Sequence, residues 1–332
     1  MDREVLRQRW LKEALGAAFE LMPLAGDASF RRYFRVLLGD TSLVLMDAPP
    51  GKEDVAPFLK VREWMRSLGL RVPELYTANV QHGWLLLEDF GDRTWAEACA
   101  AGDEMPPLFA DALRQLLLLQ QGVNAPELPA FDVERMLQEC DLFFDWYLPY
   151  VAGHVPTRHE RLRFHEQVRP WLESLAALPR VPVHLDFHSR NLMVPEDGLP
   201  LGVIDFQDAV MGPVTYDLAS LLYDCYQDYA ESERQAWSLA FFEDLPADIR
   251  RVYGSFDTWH RAVRLTAWQR HIKAIGIFSR LAYRDGKRQF LSELPLTRKH
   301  LLEGMEFLGM EAEGMALLHM PPAHLGQVVP ST

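Results

Sequence analysis

The sequence has few cysteines, no long hydrophobic run and a deficit of positive charge. Three cysteines occur in 332 residues, and none has the Cys-x-x-Cys spacing that predicts a thiol-ligated metal or a redox site. Lysine and arginine total 34 against 47 acidic residues, for a net charge of −13. This balance argues against nucleic acid or an anionic membrane as the main partner.

The N-terminal residues, MDREVLRQRWLKEAL, are charged throughout, so they do not predict a signal peptide. The longest apolar runs, such as Leu116 to Leu119, are too short to cross a bilayer. We therefore expect a cytoplasmic protein with reduced thiols. The oligomeric state cannot be inferred.

The most informative stretch runs from Val183 to Ser220. His184, Asp186 and Asn191 form an H-x-D-x-x-x-x-N pattern, and Asp205 follows fourteen residues after Asn191. Residues 192–194 and 201–204 are apolar and flank a polar turn, which predicts a hairpin. That hairpin returns Asp205 to the side of Asn191.

Phosphoryl transfer needs these residue types in this order. We expect Asp186 to act as the base that accepts a hydroxyl proton, and Asn191 and Asp205 to ligate Mg²⁺ on the phosphates of ATP. The alternative is that these are ordinary turns, because Asp and Asn side chains bond to local backbone. The hairpin spacing favours the catalytic interpretation.

The N-terminal part predicts a helix over residues 2–21, strands over 33–38 and 42–47, a helix over 53–68, and strands over 75–79 and 83–88. Residues 26–32 precede the first strand and suit a phosphate-covering loop; its candidate contacts are Ser29, Phe30, Arg31 and Arg32. The alternative is a hairpin turn with two solvated arginines. Glu63 is expected to be a solvated glutamate.

Glu88, Asp89 and Phe90 follow the last of these strands, where backbone groups could bond an adenine ring. After them the pattern turns helical, over residues 95–101, 107–121, 132–150, 159–177, 215–229 and 232–310. The expected fold class is α+β and bilobal: a small antiparallel sheet lobe at residues 1–90 binds nucleotide, and a mostly helical lobe at 91–332 carries catalysis and substrate binding. Asp217 opens a helix and can accept N–H bonds as a local cap or from the catalytic loop.

These motifs together resemble the aminoglycoside phosphotransferase-like kinases, which share the protein-kinase-like fold. The segments GDASFRRYFR, MDAPP, LLEDFGDRTW, HLDFHSRNLM and IDFQDAVMGPVTYDLASLL most resemble bacterial anomeric kinases of N-acetylmuramate and N-acetylglucosamine, which act in cell-wall sugar recycling. The resemblance implies ATP and Mg²⁺ as cofactors and an amino sugar as the small-molecule partner. It implies that Asp186 is the base, that Asn191 and Asp205 ligate the metal, and that His184 and Asp217 support the catalytic loop.

The sequence departs from such kinases in one place. They usually carry a lysine on the strand after the phosphate loop, paired with a helix glutamate, whereas residues 43–47 read LVLMD. Arg31 or Arg32 compensates, or the nucleotide is held differently. One alternative function is that of a non-catalytic pseudokinase scaffold, and the missing lysine is its main support. Another is an aminoglycoside or other amino-alcohol kinase, which needs clustered carboxylates for a polycation.

The residues that bind the acceptor are harder to predict from the sequence. Candidates near Asp186 are residues that stack on a pyranose or bond to its hydroxyls. Among them, Arg190 is the best candidate for a lactyl carboxylate, whereas a tryptophan at helical spacing is more often part of the core. The substrate-binding candidates are His188, Arg190, Gln207, Asp208 and Trp146.

Overall fold

The structure is a computed structural model that describes residues 2–24, 30–198 and 200–310. The first part is an antiparallel sheet of five strands in the order β1-β2-β3-β5-β4, with a helix on each side. Its elements are α1 (Arg3–Leu15), β1 (Glu20–Pro23), β2 (Arg32–Leu38), β3 (Thr41–Asp47), α2 (Ala56–Ser67), β4 (Leu75–Asn79) and β5 (Trp84–Glu88).

The predicted helix over residues 2–21 was wrong beyond Leu15. Gly16 adopts φ 63°, a left-handed conformation that ends a helix. Residues 20–23 instead pair with β2 as an edge strand. Leu11 of α1 packs in a small cluster with Trp84 and other apolar residues of the sheet. Asp47, at the end of β3, is buried and pairs with Arg7 at 2.8 Å.

The second part is mostly helical and begins after β5. Its helices are α3 (Trp95–Ala101), α4 (Met105–Gln120), α5 (Val133–Leu142), α6 (Leu148–Tyr150), α7 (Arg158–Ala176), α8 (Tyr216–Leu222), α9 (Glu231–Asp244), α10 (Ala247–Tyr253), α11 (Phe256–Tyr283) and α12 (Leu294–Leu308). A π-helical turn, Phe143–Tyr147, follows α5, and a 3₁₀ helix, Arg288–Glu293, precedes α12. Its strands are β6 (Arg180–Val183), β7 (Leu192–Met193), β8 (Gly202–Val203) and β9 (Val210–Pro213).

Two antiparallel sheets of two strands each position the site. β6 pairs with β9, and β7 pairs with β8 in the register Leu192 to Val203. The long helix α11 runs through the core and packs against α5, α8 and α12. Within the described ranges, no helix is both long and apolar enough to span a bilayer.

The helix predicted over residues 215–229 was wrong beyond Leu222. Asp224 accepts from the backbone N–H of Ser189 at 2.8 Å and of Tyr226 at 3.0 Å. An aspartate that bonds to nearby backbone competes with the helical hydrogen bonds. The chain therefore leaves the helix, and residues 224–226 line the cavity described below.

Candidate active site

A cavity with a volume of about 700 Å³ lies where the sheet meets the helical part. Strands β2, β3 and β5 supply one wall, and α11 supplies the opposite wall. The loops after β6 and β8 lie between these walls. This depth and shape suit a bound small molecule.

The loop after β6 is held in a strained conformation. Leu185 has φ 84°, which a branched side chain rarely adopts. Asp217, buried at the start of α8, accepts from the N–H of His184 at 2.7 Å and of Leu185 at 3.1 Å. Burial raises the pKa of Asp217 to about 7, although both N–H groups favour its ionised form. These bonds turn the next residue, Asp186, toward the cavity.

His184 connects this loop to the one after β8. Its Nε2 lies 3.0 Å from the carbonyl oxygen of Ile204, so Nε2 carries the proton. Its Nδ1 accepts from the N–H of Asp186 at 3.3 Å. Burial lowers the pKa of His184 to about 4. The imidazole is therefore a neutral structural bridge at neutral pH.

The β7–β8 hairpin brings Asn191 next to Asp205. Asn191 Nδ2 lies 3.4 Å from Asp205 Oδ2 and donates to the carbonyl oxygen of Asp186 at 3.0 Å. Asp205 adopts φ 64°, a conformation that Asp tolerates better than most residues. The other carboxylate oxygen of Asp205, Oδ1, accepts a hydrogen bond from Gln207 Nε2 at 2.8 Å.

This pair of residues fits Mg²⁺ held largely by phosphate. The side-chain amide of Asn191 lies beside the Asp205 carboxylate, with Nδ2 3.4 Å from Asp205 Oδ2. Mg²⁺ in nucleotide sites takes one or two protein oxygens and completes its shell with phosphate and water. No group of three or more His, Cys, Asp or Glu that could hold a metal occurs among residues 2–24, 30–198 and 200–310. The residues therefore suit a metal that enters with the nucleotide.

Asp186 lies in a cationic setting. Burial raises its pKa, but the charges of Lys273, His188 and Arg270 outweigh that effect and hold the pKa below its ordinary value. Asp186 is therefore ionised at neutral pH and can accept a proton.

The connector after β5 is fixed by its side chains. Asp89 pairs with Arg35 at 2.6 Å and accepts from Ser42 Oγ at 2.7 Å. The Phe90 ring packs so closely on Gly202 that a Cβ there would lie 2.4 Å from it. The N–H of Glu88 bonds to the carbonyl oxygen of Glu74 at 2.8 Å, so that N–H cannot serve an adenine ring. Apolar side chains that suit adenine line the cavity beside the connector: Val44, Leu87, Met193 and Ile204.

The candidate phosphate loop is described only in part. Ser29 lies outside the described residues. Phe30 is largely exposed, and its N–H donates to Glu53 Oε1 at 3.0 Å. Arg31 pairs with Glu53 at 3.2 Å, and Arg32 is exposed at the start of β2.

No cation occurs on β3, and apolar contacts fill the space behind it. Phe58 of α2 packs against Phe206, the residue after Asp205, with ring centroids 4.8 Å apart. Met46 of β3 is buried in the same cluster. Glu63 instead pairs on the surface with Arg66 at 2.9 Å. Helix α2 therefore meets the loop after β8 through a hydrophobic contact, and its Glu63 pairs on the surface.

The acceptor candidates are only partly brought together. His188, Arg190 and Gln207 line the cavity, whereas Asp208 and Trp146 do not. Arg190 is already paired with Glu293 at 2.6 Å. His188 Nδ1 is buried and has no hydrogen-bond partner among the described residues.

Trp146 is turned away by the π-helical turn after α5. That turn directs Phe143, Phe144 and Tyr147 into the core. Trp146 stacks on the exposed Tyr150, with centroids 5.4 Å apart. Tryptophan at helical spacing was therefore a poor guide to the cavity wall.

Sequence reasoning missed the wall formed by α11 and the segments around it. Arg270 and Lys273 are spaced by three residues on one face of that helix, a face that is otherwise buried. Cations on a buried helix face are the signal that could have identified them. The missed lining residues are Asp224, Cys225, Tyr226, Arg270, Lys273, Phe278, Lys287 and Phe290.

Solved structures similar to this chain are kinases of the same fold. A choline/ethanolamine kinase family protein from Mesorhizobium loti has a TM-score of 0.59 at 16% identity, and the match covers 96% of this chain and 100% of that chain. The aminoglycoside phosphotransferase APH(4)-Ia has a TM-score of 0.58 at 15% identity, covering 91% and 98%. These likenesses confirm the expected bilobal α+β fold.

Curated relatives are more similar in sequence. The N-acetylmuramate/N-acetylglucosamine kinase of Pseudomonas aeruginosa is 40% identical over 85% of this chain and 82% of its own length. The protein of the same name from Neisseria meningitidis is 38% identical over 89% of each chain. The model of the phosphotransferase enzyme family matches residues 20–254. The chain therefore belongs to the phosphotransferase enzyme family and is an enzyme that transfers a phosphoryl group to a hydroxyl.

Proposed function

We propose that this enzyme phosphorylates the anomeric hydroxyl of N-acetylmuramate or N-acetylglucosamine, with ATP as donor and Mg²⁺ as cofactor. The observation that carries the proposal is the convergence of Asp186, Asn191 and Asp205 on one cavity. The names of the curated relatives supply the substrate class.

In this mechanism Asp186 accepts the proton of the C1 hydroxyl. The O1–P bond forms as the bond from the γ-phosphorus to the β,γ-bridging oxygen breaks, and ADP leaves with that oxygen. Asn191 and Asp205 would hold the metal, which when bound neutralises phosphate charge. Alignment and charge stabilisation supply most of the acceleration. An anomeric hydroxyl is more acidic than an ordinary alcohol, so a weak base suffices.

The charge of the acceptor wall favours a neutral or anionic sugar over an aminoglycoside. Four cations line the cavity on the side of α11: Arg190, Arg270, Lys273 and Lys287. Asp224 is the additional carboxylate there, and both its oxygens accept backbone N–H bonds. A polycationic acceptor would need unengaged carboxylates instead.

The missing strand lysine does not by itself imply an inactive scaffold. The contact between Phe58 and Phe206 joins α2 to the loop that carries Asp205 without an ion pair. The base and both metal-ligand candidates are present. Turnover of ATP in the presence of sugar separates an enzyme from a pseudokinase.

The direct test is ³¹P NMR of reactions that contain purified protein, ATP, Mg²⁺ and one acceptor. We expect a sugar 1-phosphate, identified by the coupling of phosphorus to the anomeric proton, with either amino sugar. Kanamycin serves as the comparison acceptor. Phosphorylated kanamycin without sugar 1-phosphate, or a product phosphorylated at another hydroxyl, would overturn the assignment.

A further inference from the structure

Arg270 is a buried arginine that forms no ion pair with the residues that the structure describes. Only 7% of its surface is exposed, and its Nε and Nη1 have no hydrogen-bond partner among the described residues. No described carboxylate lies within ion-pair distance of it. Its guanidinium lies over the Tyr216 ring, 5.4 Å from the centroid, and its side chain lines the acceptor side of the cavity.

Burying such a charge without a partner is strongly unfavourable. Arg264, two turns earlier on α11, shows the ordinary arrangement. It is also buried, but it pairs with Glu231 at 3.1 Å and donates to the carbonyl oxygen of Glu303 at 2.8 Å. An arginine kept without such partners beside a cavity is positioned for an anion that arrives with a ligand.

Neighbouring charges leave that role to Arg270. Lys273, one turn further along α11, pairs with Glu139 at 3.1 Å. Arg190 pairs with Glu293, and its guanidinium stacks on Tyr226, 3.7 Å from the ring centroid. Both of these cations already form ion pairs, whereas Arg270 interacts with Asp186 and Asp224 only at longer range. The planar guanidinium also matches a carboxylate, since one of its edges can bind both oxygens.

We infer that Arg270 is a specificity-determining residue that binds a carboxylate on the acceptor, the lactyl carboxylate of N-acetylmuramate. This inference rests on the proposed function. Arg270 on α11 thereby takes the carboxylate-binding role that the sequence analysis expected of Arg190. N-acetylglucosamine lacks the lactyl group and does not use the contact.

The test compares kcat and KM for three acceptors: N-acetylmuramate, its uncharged carboxamide and N-acetylglucosamine. In Arg270→Met we expect kcat/KM for N-acetylmuramate to fall by about 10- to 100-fold, mostly through KM, as for loss of a charged hydrogen bond. The values for the carboxamide and N-acetylglucosamine should fall by a smaller factor that is the same for both, because the Arg270 charge also acts on Asp186 whichever acceptor is bound. The Tm should stay equal or rise, because an uncompensated charge is removed.

Arg264→Met is the matched control on the same helix. It should lower the Tm, since Glu231 loses one of its cationic partners, and leave the ratio between charged and uncharged acceptors unchanged. Arg270→Lys keeps the charge but not the two-point geometry, and it should give an intermediate loss of selectivity. It serves as the test variant if Arg270→Met folds poorly.

Equal losses on all three acceptors would overturn the inference and place Arg270 on the transferring phosphoryl group. Unchanged kinetics in both Arg270 variants would also overturn it. If the wild-type enzyme phosphorylates none of the three acceptors, the proposed function itself fails. That result is distinct from a working enzyme without charge selectivity.

Discussion

The imidazole of His184 links the loop after β6, which carries Asp186, to the loop after β8, which carries Asp205; its Nε2 lies 3.0 Å from the carbonyl oxygen of Ile204. On its other side, Nδ1 accepts the backbone N–H of Asp186. One neutral ring thus sets the separation of Asp186 from Asp205, the residue after Ile204. The two loops cannot move independently while this bridge is intact.

The His184 bridge should make stability sensitive to acid. Burial lowers the pKa of His184 to about 4 from 6.5, so the unfolded chain binds the proton more readily. The contribution of the neutral His184 to the free energy of unfolding is therefore complete above about pH 6.5 and is lost as the pH falls toward about 4. Thermal unfolding between pH 7.5 and 4.5 should show a steeper decline for the wild type than for His184→Leu. Parallel curves would contradict this assignment.

Asp186→Asn should remove the proton acceptor and keep the fold. We expect kcat to fall by about 10²- to 10⁴-fold, with the Tm nearly unchanged because the backbone N–H of Asp186 still bonds to His184. Steady-state kinetics and thermal unfolding measure both quantities. Turnover close to that of the wild type would exclude Asp186 as the base.

Asp205→Asn should weaken the binding of nucleotide with metal. Asparagine tolerates the φ of 64° at this position as aspartate does, so the backbone is not strained by the change. Isothermal titration calorimetry should show that Mg²⁺ enhances ATP affinity in the wild type and no longer does so in the variant. Binding without Mg²⁺ is the internal control. An unchanged Mg²⁺ effect would remove Asp205 from the metal site.

Gly202→Ala should displace the connector. A Cβ at Gly202 would lie 2.4 Å from the Phe90 ring, so the ring must move. We expect a loss of about 1 to 3 kcal/mol in stability and a higher KM for ATP. Gly304→Ala is the control, because its Cβ meets no atom closer than 4.0 Å and alanine favours the helix. Equal effects of the two substitutions would show that the Phe90 contact is unimportant.

Much of the fold could be predicted from local patterns. Strands β2 to β5 have alternating or continuous apolar residues bounded by turn residues, and the spacing of Asn191 and Asp205 required a hairpin. These features depend on neighbours in sequence. Gly16 is left-handed and ends α1, so the last residues of the first predicted helix form an edge strand instead.

The acceptor wall could not be predicted in the same way. Arg270 lies 84 residues after Asp186 and reaches the cavity because α11 packs against α5, α8 and α12. Trp146 faces away because of a π-helical turn, which has no clear sequence signature. The catalytic loop is built from one continuous stretch, whereas the acceptor wall is assembled from distant ones.

The apolar strand β3 also determines how the protein would react with chemical reporters. An amine-reactive analogue of ATP can modify a lysine only where its ε-amine lies beside the reactive phosphate group. Residues 41–47 contain no amine to be modified, and the cavity lysines, Lys273 and Lys287, belong to the opposite wall. A reagent that relies on a strand amine would leave this enzyme unmodified or would modify the α11 side of the cavity.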